Sequence, residues 1–354
     1  MTAVRSRGGD WARGLAGVAV GVLAGYLCSR LHTPIPWMLG PLVALAVLRV
    51  LGARIDAPPG ARQFGQWVIG TSLGLYFSPQ VVRDVAGWWP LLVAGALFAI
   101  AGGYGGGLLL ARLAGIDRTT AVFASVPGGA TEMAVLGERY GARVDRVAAA
   151  QSLRILIVVI VVPFAYALLG AQGSDRYIPG MATFEPGGFA LLMLATLAGA
   201  ALAQWLHVPN AFILGALAVA IPLTAADVHL SSVPSLASNA GQCLLGCTLG
   251  ARFEPDFVRG APRFIGAVAA TVLAAIGMAA AFGSALAWLS GLPALTLVLG
   301  LAPGGIAEMC ITAKTLQLGV PLVTAFHVTR VVVLLLLTAP LFGLVQRWRR
   351  RPER

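Results

Sequence analysis

Pro127-Gly128-Gly129-Ala130-Thr131-Glu132-Met133 returns later in the chain as Pro303-Gly304-Gly305-Ile306-Ala307-Glu308-Met309. Each copy lies in apolar surroundings, where a Pro-Gly-Gly step breaks a helix and a glutamate is costly to bury. Of the 354 residues, 58% are hydrophobic and 11% charged, and the mean hydropathy is +0.83. Several windows approach the ~20 apolar residues that cross a bilayer. The chain therefore reads as an all-α polytopic membrane protein.

The repetition reaches well beyond the broken phrase. Leu31-His32-Thr33-Pro34 with Leu39-Gly40 matches Leu206-His207-Val208-Pro209 with Leu214-Gly215 at an offset of 175. Gly65-Gln66, Gly70, Leu73-Gly74, Phe77 and Pro79 match Gly241-Gln242, Gly246, Leu249-Gly250, Phe253 and Pro255 at 176, the offset that also relates Arg154 to Arg330. A near-constant offset over this length indicates an internal duplication. The expected organisation is a basic tail (1–13), a membrane repeat (14–171), a linker (172–187), a second repeat (188–347) and a basic tail (348–354). The first apolar stretch follows Arg5, Arg7 and Arg13 without a convincing small-residue cleavage site, and reads as a retained helix.

The net charge of +11 belongs to chain ends and short loops, a pattern that orients membrane proteins and not one that reads DNA. If the broken elements span, each repeat crosses six times and the copies are parallel. If they are re-entrant hairpins, each repeat crosses five times and the second copy is inverted. Among basic residues outside the membrane, parallel copies place 14 inside and 9 outside, and inverted copies 19 and 4. The inverted count gathers Arg139, Arg143, Arg146, Arg252, Arg259 and Arg263 inside with the N-terminal arginines, Arg49, Arg54, Arg62, Arg112, Arg118 and the tail Arg347, Arg349, Arg350, Arg351 and Arg354. Only Arg30, Arg83, Arg176 and Lys314 remain outside. The positive-inside rule selects inverted repeats, about ten spanning helices and two re-entrant hairpins, with both termini cytoplasmic.

A broken backbone at membrane depth persists only where protein or a water-filled cavity satisfies its freed groups. Pro127, Gly128 and Gly129, with Pro303, Gly304 and Gly305, are thus expected to form two tips meeting at an internal polar site, each aiming a helix N-terminus into it. Glu132 and Glu308 are candidates to ligate a cation, carry a coupled proton or hold a polar substrate group; the competing structural role is an ion pair with Arg154 or Arg330. Arg154 and Arg330 suit a substrate carboxylate or phosphate as well as those glutamates. His327, one turn before Arg330, stands where the first copy has Gln151, and is either a titrating group or a hydrogen-bonded neighbour. Gln66 and Gln242 are candidates for substrate hydrogen bonding or for helix contact, and His32 and His207 read as interfacial.

Two copies of PGG-x-x-EM, each followed by a helix with a buried arginine, and the repeated L-H-x-P…L-G segment resemble the AbrB-duplication family of bacterial inner-membrane proteins, over about residues 14 to 347. Members of that family carry the labels ammonia monooxygenase, AbrB-family transcriptional regulator and transporter. Four scattered histidines (His32, His207, His229, His327) supply no ligand cluster for a monooxygenase metal, and the cysteines Cys28, Cys243, Cys247 and Cys310 have no zinc or disulfide spacing. The expectation is a gradient-coupled secondary transporter in the bacterial inner membrane, with no cofactor and no direct nucleic-acid contact. Its partners would be lipid, a small polar solute for which the helix N-termini suit an anionic group, and a proton or sodium ion, with a homo-oligomer left open. The rivals are a passive channel for a small molecule such as ammonia, and a membrane sensor that regulates gene expression through its basic tail.

Overall fold

The computed structural model describes residues 7–171, 173, 183–253 and 262–349, and all secondary structure among them is helical. Arg5, Arg176, Pro255, Arg259, Arg350, Arg351, Arg354 and most of the expected linker lie outside the described residues, as do the side chains of Arg7, Arg347 and Arg349.

The first half contains α1 (Arg7–Arg30), α2 (Pro36–Val50), α3 (Ala61–Gly74), α4 (Pro79–Gly87), α5 (Trp89–Ala114), α6 (Arg118–Ser125), α7 (Ala130–Arg139) and α8 (Val144–Leu168). The second contains α9 (Pro186–Trp205), α10 (Ala211–Ala225), α11 (Ser235–Gly250), α12 (Pro262–Ser290), α13 (Ala294–Leu301), α14 (Ile306–Thr315) and α15 (Val320–Arg349). From α6 to α8 and from α13 to α15 the starting residues differ by 176 throughout. The short helix α4 was not expected: Ser78 caps it, accepting from the Val81 amide at 3.4 Å, and Pro79 opens it, features too local to show in hydropathy.

Five described helices, within α1 and at α5, α8, α9 and α12, are long and apolar enough to cross a membrane; Pro36–Val50, Ala211–Ala225 and Val320–Leu334 are apolar but shorter. At ~1.5 Å per residue, α2 and α10 cover about 22 Å, less than a ~30 Å hydrocarbon layer.

The helices gather into two groups. In the first, α1 packs on α2, α2 on α11, α11 on α3, α3 on α10 and α10 on α9. The second comprises α5 to α8 with α12 to α15. Glycines set the spacing in the first group: a Cβ on Gly65 would lie 2.7 Å from the Gly241 carbonyl oxygen, and one on Gly70 2.7 Å from that of Ile213. Gly65 faces both Gly241 and Leu245 while Gly241 faces Val68, so α3 and α11 run antiparallel. The same holds for α5 and α12, where Phe98 stacks on Phe282 at 4.1 Å and Arg263 donates to the Leu113 carbonyl at 2.9 Å. Between the groups backbone contact is sparser, chiefly where α2, α3 and α10 meet α8, α14, α15 and the short α4, while buried side chains of both groups belong to one hydrophobic core.

Candidate functional site

Helix α6 starts at an Asp117 cap, whose carboxylate accepts from the Thr120 amide at 2.7 Å, and stops at Val126-Pro127. The chain then turns back. The Arg143 amide, just beyond α7, donates to Thr120 Oγ1 at 2.9 Å, and the Tyr140 and Phe123 rings stack with centroids 5.9 Å apart. In the second half the Gly319 amide donates to Thr296 Oγ1 at 3.3 Å, the same contact displaced by 176. In both halves, then, the residue after the second short helix lies beside the start of the first.

Breaking a helix orphans carbonyls that the next turn would have used. Arg154 Nη1 donates to the Val126 carbonyl at 3.2 Å and Nη2 to that of Gly128 at 3.1 Å; Gln151 Nε2 donates to Phe123 and Val126 at 2.8 and 3.0 Å. Arg330 repeats this on Ala302 and Gly304 at 3.0 and 2.6 Å. His327 Nε2 lies 3.3 Å from the Leu299 carbonyl oxygen, a geometry in which Nε2–H donates and Nδ1 is left as a buried acceptor without a described partner. Arg154 and Arg330 are 4% and 5% exposed. Among the described residues neither lies within ion-pair distance of Glu132 or Glu308. Their heads serve the backbone of the two tips.

The glycines, the glutamate and the methionine of the repeated phrase each have a local task. The second glycine of each tip is the N-cap of α7 or α14, and the carboxylate of Glu132 or Glu308 folds back over it, occupying the place a Cβ would take. The glutamate stands in the first turn, where its charge lies against the helix's own N-terminus. The methionine fills the gap beside the first glycine: a Cβ on Gly128 or Gly304 would lie 2.7 or 2.6 Å from Met133 or Met309 Cγ. Glu308 is 8% exposed and Glu132 half-buried, with Glu132 Oε2 buried and unpartnered.

Both tips border one cavity of ≈ 70 Å³ between the two helix groups. Gly128, Gly129, Arg154, Gly304, Gly305, Glu308 and Arg330 form one wall, and Arg62, Gln66, Asn210, Thr248 and Arg252 stand on the other. Gln66 Nε2 and Arg62 Nη2 donate to Asn210 Oδ1 at 3.3 and 3.2 Å. Of the expected residues, Glu132, Gln151, Gln242, Pro303 and the buried His327 do not line this cavity; Gln242 Nε2 is 3.5 Å from Ser238 Oγ on its own helix. Arg62, Asn210, Thr248 and Arg252 were missed, since Arg62 and Arg252 read as loop charges and no motif singled out Asn210 or Thr248. A second cavity, ≈ 50 Å³, lies behind the tips between α5 and α12 and is mostly apolar, with Phe98, Val272 and Met278 in its lining.

These features define a polytopic, all-helical protein of membrane type with two helix breaks at a half-enclosed centre that carries polar and charged side chains. The family described as "Transition state regulatory protein AbrB" matches residues 8–346, and the chain belongs to it. It is 27% identical to "Uncharacterized protein YhjN" of Bacillus subtilis, over 93% of this chain and 92% of that one. To "Putative regulator AbrB" of Escherichia coli it is 22% identical, over 86% of this chain and 88% of the other.

Proposed function

We propose that the protein is a secondary transporter of a small polar solute, coupled to a proton or sodium gradient, with its binding site in the cavity between the two Pro-Gly-Gly tips. The observation that carries this reading is the cavity itself, in which both tips border one polar space between two helix groups in sparser backbone contact than the helices within each. A site at a seam allows one group to move against the other, which alternating access requires. In this reading the halves are inverted repeats, with ten crossings and two re-entrant hairpins in the inner membrane. The antiparallel course of α3 against α11 and of α5 against α12 supports inversion, because equivalent helices of parallel repeats would run the same way. The Thr120–Arg143 and Thr296–Gly319 hydrogen bonds support the hairpins.

The test is uptake into proteoliposomes under an imposed ion gradient, by wild type and by Glu132→Gln/Glu308→Gln. Saturable, gradient-dependent uptake that the double variant loses is the expected result. Uptake unaffected by the variant removes both carboxylates from coupling, and flux that neither saturates nor follows the gradient leaves a passive channel.

The name of the Escherichia coli relative favours a second reading, regulation of gene expression, reached here indirectly through the level of the transported solute. Deleting residues 348–354 separates it from a sensor docking through its tail: regulation should survive the deletion if transport is the cause.

A further inference from the structure

The charges around the cavity do not balance. Arg62, Arg154, Arg252 and Arg330 line it, while of the two tip carboxylates Glu308 is in the lining and Glu132, though at the first tip, is not. Fully ionised, these groups leave an excess of two positive charges in a half-enclosed space, which is expensive unless something neutralises it. Arg154 and Arg330 each give both terminal nitrogens to tip carbonyls, and their buried Nε atoms have no described partner. The two helix N-termini are covered by their own glutamates, so the tips do not offer a vacant anion cradle.

Arg62 and Arg252 are placed differently. Arg62 donates only to Asn210 Oδ1 among the described residues, and neither arginine has a carboxylate within 4.0 Å among them. Both are half-buried, so their guanidinium forks are partly dehydrated yet open to the cavity. A planar fork of N–H groups matches a carboxylate or phosphate, bidentately where geometry allows. Asn210 holds a left-handed backbone, φ 51°, which asparagine tolerates better than most residues, and its amide ties Arg62 to Gln66 at the cavity wall. The equivalent left-handed residue of the first half is Ile35, φ 44° and buried, so this polar wall exists once.

We propose that Arg62 and Arg252 are the recognition pair for a small oxyanion, a carboxylate or phosphate group, which enters the cavity and rests with its uncharged part toward the tips. At ~15 Å³ per water position, the volume limits the ligand to roughly half a dozen heavy atoms. The inference rests on reading the cavity as the transport site, and narrows the solute from polar to anionic.

The test is thermal unfolding of the purified full-length protein with about 10 mM acetate, lactate or phosphate, tenfold above a millimolar Kd, at matched ionic strength. Acetamide and lactamide serve as uncharged counterparts. At least one anion should raise Tm by about 2 °C or more and the amides should not, and the anion that responds separates carboxylate from phosphate. Arg62→Gln and Arg252→Gln should lose that shift, and Arg252→Lys should keep part of it. Asn210→Asp removes no arginine but sets a fixed carboxylate beside Arg62, and should lose the shift as well. No response to any of the three anions, an equal response to the amides, or a shift retained in Asn210→Asp would each overturn the proposal. Anion binding without uptake in proteoliposomes leaves this site standing and removes the transporter reading. Saturable uptake of an uncharged solute by Arg62→Gln/Arg252→Gln does the reverse.

Discussion

At the first tip Gln151 donates to two carbonyls, Phe123 and Val126, whereas at the second His327 stands in that place and, among the described residues, reaches only Leu299. Beyond the tips the contrast widens. Glu138 is exposed at the end of α7, but its counterpart Lys314 turns inward, donating to Ser72 Oγ at 3.2 Å and lying 5.8 Å over the Tyr76 ring. Ser72 and Tyr76 correspond, at the offset of 176, to Thr248 and Arg252, which line the cavity. One face of the tips thus borders a polar space, while lysine, serine and tyrosine occupy the equivalent region on the other. The two halves share the backbone solution and differ in the side chains that surround it.

If the backbone solution is common to both halves, removing it should be costly in each. Arg154→Leu leaves the Gly128 carbonyl without its donor while Val126 keeps that of Gln151, and Arg330→Leu strands the carbonyls of both Ala302 and Gly304; each should lower stability by about 2–5 kcal/mol, with the larger loss at Arg330, read as a fall in Tm of the detergent-solubilised protein. A large loss at one position only would show that the tips are not energetically equivalent. Gly129→Ala and Gly305→Ala come next, at about 1–3 kcal/mol, because the new methyl displaces the glutamate that lies against the helix N-terminus. Combining Gly305→Ala with Glu308→Ala should cost clearly less than the sum of the two, since they disrupt one contact.

Smaller effects should mark the points where the halves differ. His327→Gln restores the first half's chemistry and should change stability by no more than about 1 kcal/mol, as an amide can donate to the same carbonyl. Lys314→Met should shift Tm least, by under about 1 kcal/mol of stability. In a cysteine-free background it should nevertheless speed thiol labelling of Ser72→Cys. Unchanged labelling would mean that Lys314 does not limit access to that region.

Much of this was legible in order along the chain. The composition required membrane-type helices, the offset of 176 required related halves, and Pro127-Gly128-Gly129 and Pro303-Gly304-Gly305 required interruptions, all consequences of local backbone chemistry. Arg154 and Arg330 were visible as buried charges, but the reading of them as partners for Glu132 and Glu308 followed charge alone. The geometry instead gives each guanidinium to carbonyls, and each carboxylate to the start of its own helix. A one-dimensional sequence shows which groups are costly to bury; it does not show which of several nearby polar groups satisfies them.

Arg62, Asn210, Thr248 and Arg252 illustrate the remainder. They are spread over 190 positions and meet because α3 packs on both α11 and α10, at Gly65 against Gly241 and at Gly70 against Ile213. Hydrophobic pattern and helix-breaking residues are properties of neighbouring positions, so the amino-acid order alone dictates the membrane class, the duplication and the two breaks. Which polar groups share the space in front of those breaks depends on helices distant in sequence, and only their packing brings that set together.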